Sequence, residues 1–202
     1  RVEQNDQLFC LEKTGTILTT YHVQNDRLDL LHTVNMDLGD KAVNLTATLR
    51  DGVVWLYIYN GDNELFLSKN EGATWELIGN LPASPWSVGI YISPSNPDMM
   101  YMGEVECFRS NNAGITWERV NGWGEYYSDV EFKLHADIME FNEFEIQDGS
   151  PFLLISNHGG LSISYDYSQT NQNIGLAGLN VSQYYSSKTL PSNTDFVYAG
   201  TQ

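Results

Sequence analysis

The alternation of apolar and polar residues predicts β-strands along the whole chain. Short runs rich in Val, Ile, Tyr, Phe and Leu are separated by clusters of Gly, Asn, Asp, Ser and Pro, and no stretch sustains a helical period. The runs form three groups of four. The predicted strands are 44–49, 53–59, 64–68 and 74–78, then 87–93, 99–105, 106–110 and 116–120, then 135–142, 151–157, 161–165 and 172–177.

Both ends of the chain resemble incomplete groups. Residues 7–13, 16–22 and 28–34 look like the last three strands of one group, and 183–190 and 194–201 like the first two of another. Four antiparallel strands per group match a β-propeller blade, so we predict an all-β fold and a single propeller segment. Its predicted parts are a partial blade 1–40, blades 41–82, 83–128 and 129–180, and a partial blade 181–202.

Two ring sizes are open. The partial blades could combine and close a small ring, or the chain could be one part of a larger ring of about six to eight blades. We favour the larger ring. The first residue is Arg1 rather than Met, and we expect the remainder of a longer polypeptide as a partner.

A short signature occurs three times, between the third and fourth predicted strands of each group. The copies begin at residues 68, 110 and 164, so they lie 42 and then 54 residues apart. Such spacing is typical of repeat folds, including propellers. The matching residues are Ser68, Asn70, Gly72, Thr74 and Trp75 in the first copy, Ser110, Asn112, Gly114, Thr116 and Trp117 in the second, and Ser164, Asp166 and Thr170 in the third.

These residue types predict a self-contained turn. An Asn or Asp side chain can accept a hydrogen bond from the backbone two residues on, and Gly adopts positive φ without steric cost. The Trp that opens the next strand can pack back over the turn. We therefore assign the signature a structural role. The third copy has lost both Gly and Trp and reads as a decayed one.

The signature resembles the Asp-box (BNR) repeat, S-x-D-x-G-x-T-W, of sialidases, sortilin-type receptors and xyloglucanase-like propellers. In those families the box lies away from the active face. Four further fragments resemble sortilin-like and xyloglucanase-like propellers of secreted bacterial proteins, including those of Bacteroidetes. They are His135 with Asp137, then residues 157–161, 180–185 and 199–202, in that order.

The resemblance spans about residues 44–202 and has departures. His158 replaces the usual Asp, and Met139 stands where a second His often follows. Propeller ligands usually gather at the channel mouth, so the resemblance directs attention to His135, Asp137 and His158. These three could bind a small metal ion, contact a ligand, or form hydrogen bonds to the neighbouring blade. We favour the structural bridge and predict no metal and no cofactor.

Aromatic residues supply the other candidates for ligand binding. Trp123, Tyr126 and Tyr127 lie in a long, aromatic connection between the second and third groups. Such rings could stack on sugars, fill a peptide pocket or pack against an adjacent blade. Trp86, just before another first strand, is a weaker candidate.

Composition narrows the partners. The 202 residues include 26 Asp and Glu against 10 Lys and Arg, and a net charge of −16 repels nucleic-acid phosphates, so we predict no nucleic-acid partner. No apolar run approaches the ~20 residues of a transmembrane helix. Cys10 and Cys107 are predicted to be buried thiols rather than a disulfide.

The catalytic classes find little support. A sialidase needs an arginine cluster, and the chain has only Arg1, Arg27, Arg50, Arg109 and Arg119. A glycoside hydrolase needs two carboxylates across the sugar bond. Acids are abundant, among them Asp129, Glu131, Asp137, Glu140, Glu143 and Glu145, but none lies in a catalytic motif.

The favoured function is therefore a non-catalytic module. We predict that it binds or scaffolds a protein or glycan ligand at the propeller face, within a larger secreted or cell-surface protein. We assign no catalytic residue. The alternatives are an endo-acting glycoside hydrolase of the xyloglucanase type and a sortilin-like peptide receptor.

Overall fold

The structure, a computed structural model, describes residues 2–4, 6–25, 27–86, 89–177, 186–190 and 193–200. It contains two compact units, Arg1–Val120 and Asn121–Gln202. The described residues form β-strands and two short 3-10 helices. No helix among them is long and apolar enough to cross a membrane. The predicted blade boundaries stay a prediction.

The first unit holds three antiparallel sheets of four strands, each ordered as in the sequence. Sheet one contains β1 Val2–Gln4, β2 Gln7–Leu11, β3 Ile17–Gln24 and β4 Arg27–Asn35. Sheet two contains β5 Ala42–Arg50, β6 Val53–Asn60, β7 Glu64–Ser68 and β8 Glu76–Asn80. Sheet three contains β9 Ile90–Ile92, β10 Met100–Gly103, β11 Cys107–Ser110 and β12 Glu118–Arg119.

Strand β6 shows how the three sheets pack. Its side chains alternate between the two faces of sheet two, as in any strand. Leu56 and Ile58 lie in a core with sheet one, and Tyr57 and Tyr59 lie in a second core with sheet three. Both faces of sheet two are thus covered. Each buried aliphatic side chain of this kind contributes about 1.5 to 3 kcal/mol.

The second unit holds sheet four and a hairpin. Sheet four contains β13 Ile138–Glu145, β14 Pro151–Asn157, β15 Gly160–Ser164 and β16 Gln172–Asn173. The hairpin pairs β17 Ser186–Leu190 with β18 Asn193–Gly200. The 3-10 helices are Trp123–Ser128 and Ile174–Ala177.

The twelve strands predicted for the three groups are all present, with shifted ends. Strand β13 starts at Ile138 instead of residue 135, because Asp137 has φ of 65° and interrupts the extended backbone. Strand β16 ends at Asn173, where a 3-10 helix replaces the predicted extension. Sheet one has a fourth strand, β1, where three were predicted. The predicted fragments 180–185 and 201–202 lie outside the described residues.

The three copies of the signature form one kind of turn, which we call the repeat turn: residues 68–75, 110–117 and 164–171. In the first, the Ser68 hydroxyl donates to Asn70 Oδ1 at 2.9 Å and accepts from the Gly72 N–H at 2.9 Å. Asn70 Oδ1 also accepts from the Thr74 N–H at 3.0 Å. The Asn70 side chain thus accepts a hydrogen bond from the backbone N–H four residues later, whereas the sequence predicts a bond from the N–H two residues later.

The third repeat turn is not decayed in structure. Ser164 donates to Asp166 Oδ1 at 2.9 Å and accepts from the Ser168 N–H at 2.8 Å, while Asp166 Oδ1 accepts from the Thr170 N–H at 2.8 Å. Tyr167 and Ser168 have φ of 56° and 62°, so two successive residues adopt the left-handed conformation, as in the other copies. The loss of Gly and Trp leaves the hydrogen bonds intact.

Close packing, in addition to positive φ, explains why glycine occupies its position in the first two repeat turns. A Cβ at Gly72 would overlap Leu18 of sheet one, and one at Gly114 would lie 2.7 Å from Leu65 of sheet two. Trp117 Nε1 donates to the Gly114 carbonyl at 3.1 Å, which confirms that the Trp packs back over the turn.

Both cysteines are free thiols. Burial raises the pKa of Cys107, while Cys10 is only partly buried. The prediction of buried thiols therefore holds fully for Cys107 alone.

Candidate functional site

The candidate site in the second unit is built on a short connection that Asn121 holds in place. Asn121 is buried, donates from Nδ2 to the Leu134 carbonyl at 3.1 Å, and accepts from the Leu134 N–H at 3.0 Å. The Asn121 side-chain amide thus forms the two hydrogen bonds that the backbone of a neighbouring strand would form with Leu134. It brings the 3-10 helix Trp123–Ser128 next to His135. At the start of that helix, the Glu125 carboxylate accepts from the Gly122 N–H at 2.7 Å.

Four rings from these two segments form a contiguous group, which we call the aromatic cluster: Trp123, Tyr126, Tyr127 and His135. The His135 ring lies 4.7 Å from Tyr126 and 5.9 Å from Tyr127, and Tyr127 lies 6.1 Å from Trp123, all centroid to centroid. The rings meet edge to face, the favoured geometry for aromatic pairs. Trp123 is 51% exposed and Tyr127 66% exposed. Their surfaces are open to a ligand.

A close contact between a histidine and an aspartate side chain lies beside the aromatic cluster. His158 Nδ1 and Asp137 Oδ2 are 2.7 Å apart, with each side chain about three-tenths exposed. The backbone N–H of His158 donates to the Ala136 carbonyl at 3.2 Å. Because a carbonyl only accepts, His135 Nδ1, which lies 3.1 Å from the same oxygen, must carry the proton.

The turn after β14, residues 157–159, packs closely against the segment that contains His135. Asn157 Oδ1 accepts from the Gly159 N–H at 2.8 Å. A Cβ at Gly159 would lie 2.6 Å from the His135 Cβ, so only glycine allows this approach. Asn157 Nδ2 is buried and has no hydrogen-bond partner among the described residues. The structure therefore brings all six predicted site residues into one region of the second unit. Their role in binding stays a prediction.

Other predicted features have plain structural contacts. Trp86 is partly exposed, and its N–H donates to the Gly103 carbonyl at 3.0 Å. Asp129 Oδ1 accepts from the Phe132 N–H at 3.2 Å. Within the described parts of the chain, no three His, Cys, Asp or Glu side chains are grouped to hold a metal ion.

The sequence reading missed Asn121 and Asn157 as organising residues. Their signal is their position: Asn121 follows a predicted strand and Asn157 ends one, and at such positions an amide can complete backbone hydrogen bonds. A groove in the first unit was also missed. It contains Trp55 of strand β6, Lys69 directly after β7 and Asn111 directly after β11.

Comparison with known proteins identifies the fold. No family model matches the sequence, and no curated protein matches it. Among solved structures, the GH74 enzyme of Niastella koreensis matches with a TM-score of 0.57 and 16% identity, over 98% of this chain and 32% of that one. The GH74 xyloglucanase of Xanthomonas campestris matches with a TM-score of 0.50 and 14% identity, over 96% and 33%.

At these identities the likeness concerns the fold alone. The chain spans about a third of the length of the two GH74 enzymes, a share that fits a segment of a larger ring. Together with the four-stranded antiparallel sheets, the likeness confirms the predicted fold class. The chain has an all-β, β-propeller fold.

Proposed function

We propose that this chain is a non-catalytic Asp-box propeller module that binds a protein or glycan ligand within a secreted or cell-surface protein. The ligand surface is the aromatic cluster together with the His158–Asp137 pair. The chain acts as one part of a larger ring and has the rest of that polypeptide as its partner.

The exposed rings of the aromatic cluster are the observation that carries this proposal. Trp123 and Tyr127 present large apolar faces that their edge-to-face contacts hold in fixed orientations. Rigid aromatic side chains supply contact area at low entropic cost, which suits both sugar rings and peptide side chains. The neighbouring His158 and Asp137 add polar atoms for ligand hydrogen bonds.

The aligned GH74 enzymes favour one alternative, an endo-acting glycoside hydrolase. That chemistry needs two carboxylates on either side of a sugar bond. Asp137, which lies two residues after His135 of the aromatic cluster, has its Oδ2 2.7 Å from His158 Nδ1. Glu125, next to Tyr126, accepts from the Gly122 N–H and lies 3.2 Å from Lys133 Nζ. A paired carboxylate is poorly suited to act as a general acid, because the acid must hold a proton before it can donate one.

One screen separates the candidates. The chain is applied to a glycan array and a peptide library, and is incubated with xyloglucan while reducing ends are measured. The proposal expects saturable binding to a glycan or peptide and no release of oligosaccharides. Hydrolysis of xyloglucan would overturn it in favour of the enzyme. Saturable binding to peptides alone would select the sortilin-like receptor among the binding functions.

A further inference from the structure

Three hollows adjoin in the first unit, along the repeat turns of sheets two and three. The central one has a volume of about 440 Å³ and is lined by Trp55, among others. It shares Lys69 and Glu76 with a hollow of about 370 Å³ at the first repeat turn. It shares Asn111 with a hollow of about 160 Å³ at the second repeat turn. We call the three together the turn groove.

The two outer hollows are built from equivalent residues. Thr74, Trp75 and Glu76 line the first hollow. Thr116, Trp117 and Glu118 line the other, each 42 residues later. With Trp55 in the centre, every hollow has a tryptophan in its wall. A surface that repeats the same contacts suits a ligand that is itself a repeating chain.

The turn groove is balanced in charge, although the chain carries a net charge of −16. The Arg50 guanidinium is paired with Asp98, and Arg109 Nε lies 2.7 Å from Glu118 Oε1. Lys69 Nζ lies 4.4 Å from the centroid of the Trp55 ring. The charged residues that line the turn groove are three basic and three acidic ones: Arg50, Lys69, Arg109, Glu76, Asp98 and Glu118.

This balance decides the class of ligand. An anionic chain would meet the three carboxylates, and a cationic chain would meet the three basic groups, at the cost of like-charge contacts. An uncharged chain of hydroxyl groups can use both the donors and the acceptors. The apolar ring faces of its sugars can contact Trp75 and Trp117, whereas Arg50 and Lys69 both lie over the Trp55 ring.

We propose that the turn groove binds an uncharged oligosaccharide. Several successive sugars span the adjoining hollows, and Lys69, Asn111 and Glu76 form hydrogen bonds with their hydroxyl groups. This site belongs to the first unit. It is independent of the aromatic cluster and goes beyond the function proposed for it.

Calorimetric titration of the full chain tests the inference. The probes are cellohexaose, laminarihexaose and mannohexaose, with hexagalacturonate as the charged comparator and an unrelated peptide as the protein comparator. Lys69→Ala and Asn111→Ala remove exposed groove side chains, so both variants should fold. Lys41→Ala removes an exposed lysine elsewhere and is the matched control.

At least one neutral hexasaccharide should bind, and each groove variant should weaken that binding by roughly tenfold or more. Lys41→Ala should leave it unchanged. The inference is overturned if no neutral hexasaccharide binds, if hexagalacturonate or the peptide binds more tightly, or if the groove variants bind like the unmodified chain. Loss of binding in Trp123→Ala alone would place the sugar at the aromatic cluster instead.

Discussion

The hydroxyl group of Ser168 donates a 2.7 Å hydrogen bond to Oδ1 of Asn171 in the third repeat turn. These two residues occupy the positions of Gly and Trp in the other copies. Both are almost fully buried, with 1% and 5% of their surface exposed. The pair thus replaces the contact between Gly and Trp with a hydrogen bond between two side chains, and the rest of the turn keeps its geometry.

A double-mutant cycle on this pair should show strong coupling. Ser168→Ala leaves Asn171 Oδ1 buried without its donor, so we expect a loss of about 1 to 3 kcal/mol in the free energy of unfolding. Asn171→Ala should cost a similar amount. The double variant should cost less than the sum of the two, as measured by urea denaturation. Additive losses would mean that the hydrogen bond does not stabilise the turn.

The third repeat turn should also be sensitive to acid. Partial burial raises the pKa of Asp166, but hydrogen bonds from Thr170 and Ser164 outweigh this effect, and the pKa falls below its usual 3.8. The folded state therefore gains stability above the unfolded pKa and loses it as the pH falls through the folded value. We expect Asp166→Asn to flatten the pH dependence of the unfolding free energy below about pH 4.

The first and second repeat turns supply the control for this prediction. Each has Asn at the position of Asp166, and Asn does not titrate. Asn70→Asp should therefore introduce the acid-dependent loss that Asp166→Asn removes. Identical pH profiles for the three proteins would contradict this account of Asp166.

Replacing the glycine of the first repeat turn should cost more stability than backbone strain alone explains. Gly72→Ala forces a Cβ into Leu18 and also strains a residue with φ of 87°. Gly52 has a similar φ of 78° with no atom near the Cβ position, so Gly52→Ala isolates the backbone strain. We expect Gly52→Ala to cost about 1 to 2 kcal/mol and Gly72→Ala clearly more, in thermal or urea unfolding. Equal losses would show that the contact with sheet one is soft.

Tyr57 should limit stability at alkaline pH. Burial raises its pKa to about 12, with Arg50 opposing the shift and Asp98 adding to it. In the unfolded chain the Tyr57 hydroxyl ionises near pH 10, before it ionises in the folded chain. The folded protein therefore keeps its full unfolding free energy below pH 10 and loses part of it as the pH rises toward 12.

Tyr57→Phe removes the titrating group. The Tyr57 hydroxyl has no hydrogen-bond partner among the described residues, so the variant should be about as stable as the parent at pH 7. Above pH 10 it should lose less of its unfolding free energy. A large loss at pH 7 would reveal a partner for the hydroxyl group.

Much of the fold follows from local sequence, because strands and repeat turns depend on residues close in the chain. Ser164, Asp166 and Thr170 were enough to predict the third turn. The compensation between Ser168 and Asn171 was not predicted, since it depends on how two side chains meet across the turn. The start of β13 was also misplaced, because no local signal marks the left-handed Asp137.

Of the two candidate sites, one was predicted from local sequence and the other was not. His135, Asp137 and His158 were identified by short fragments in the third group, and the structure brings these fragments together. The turn groove was invisible to sequence reading. Trp55 and Lys69 lie in or directly after strands of sheet two, and Asn111, directly after a strand of sheet three, joins them only when the two sheets pack against each other.

Binding through the aromatic cluster is the central claim, and one affinity comparison tests it. The glycan or peptide that gives the strongest array signal with both the unmodified chain and Lys69→Ala, so that the turn groove does not account for its binding, is titrated into the chain, into Trp123→Ala/Tyr127→Ala, and into Tyr165→Ala. Tyr165 is equally exposed, at 64%, and lies outside the cluster. The double variant should lose affinity by roughly a hundredfold, with Tyr165→Ala unchanged. Unchanged affinity in the double variant would contradict the claim.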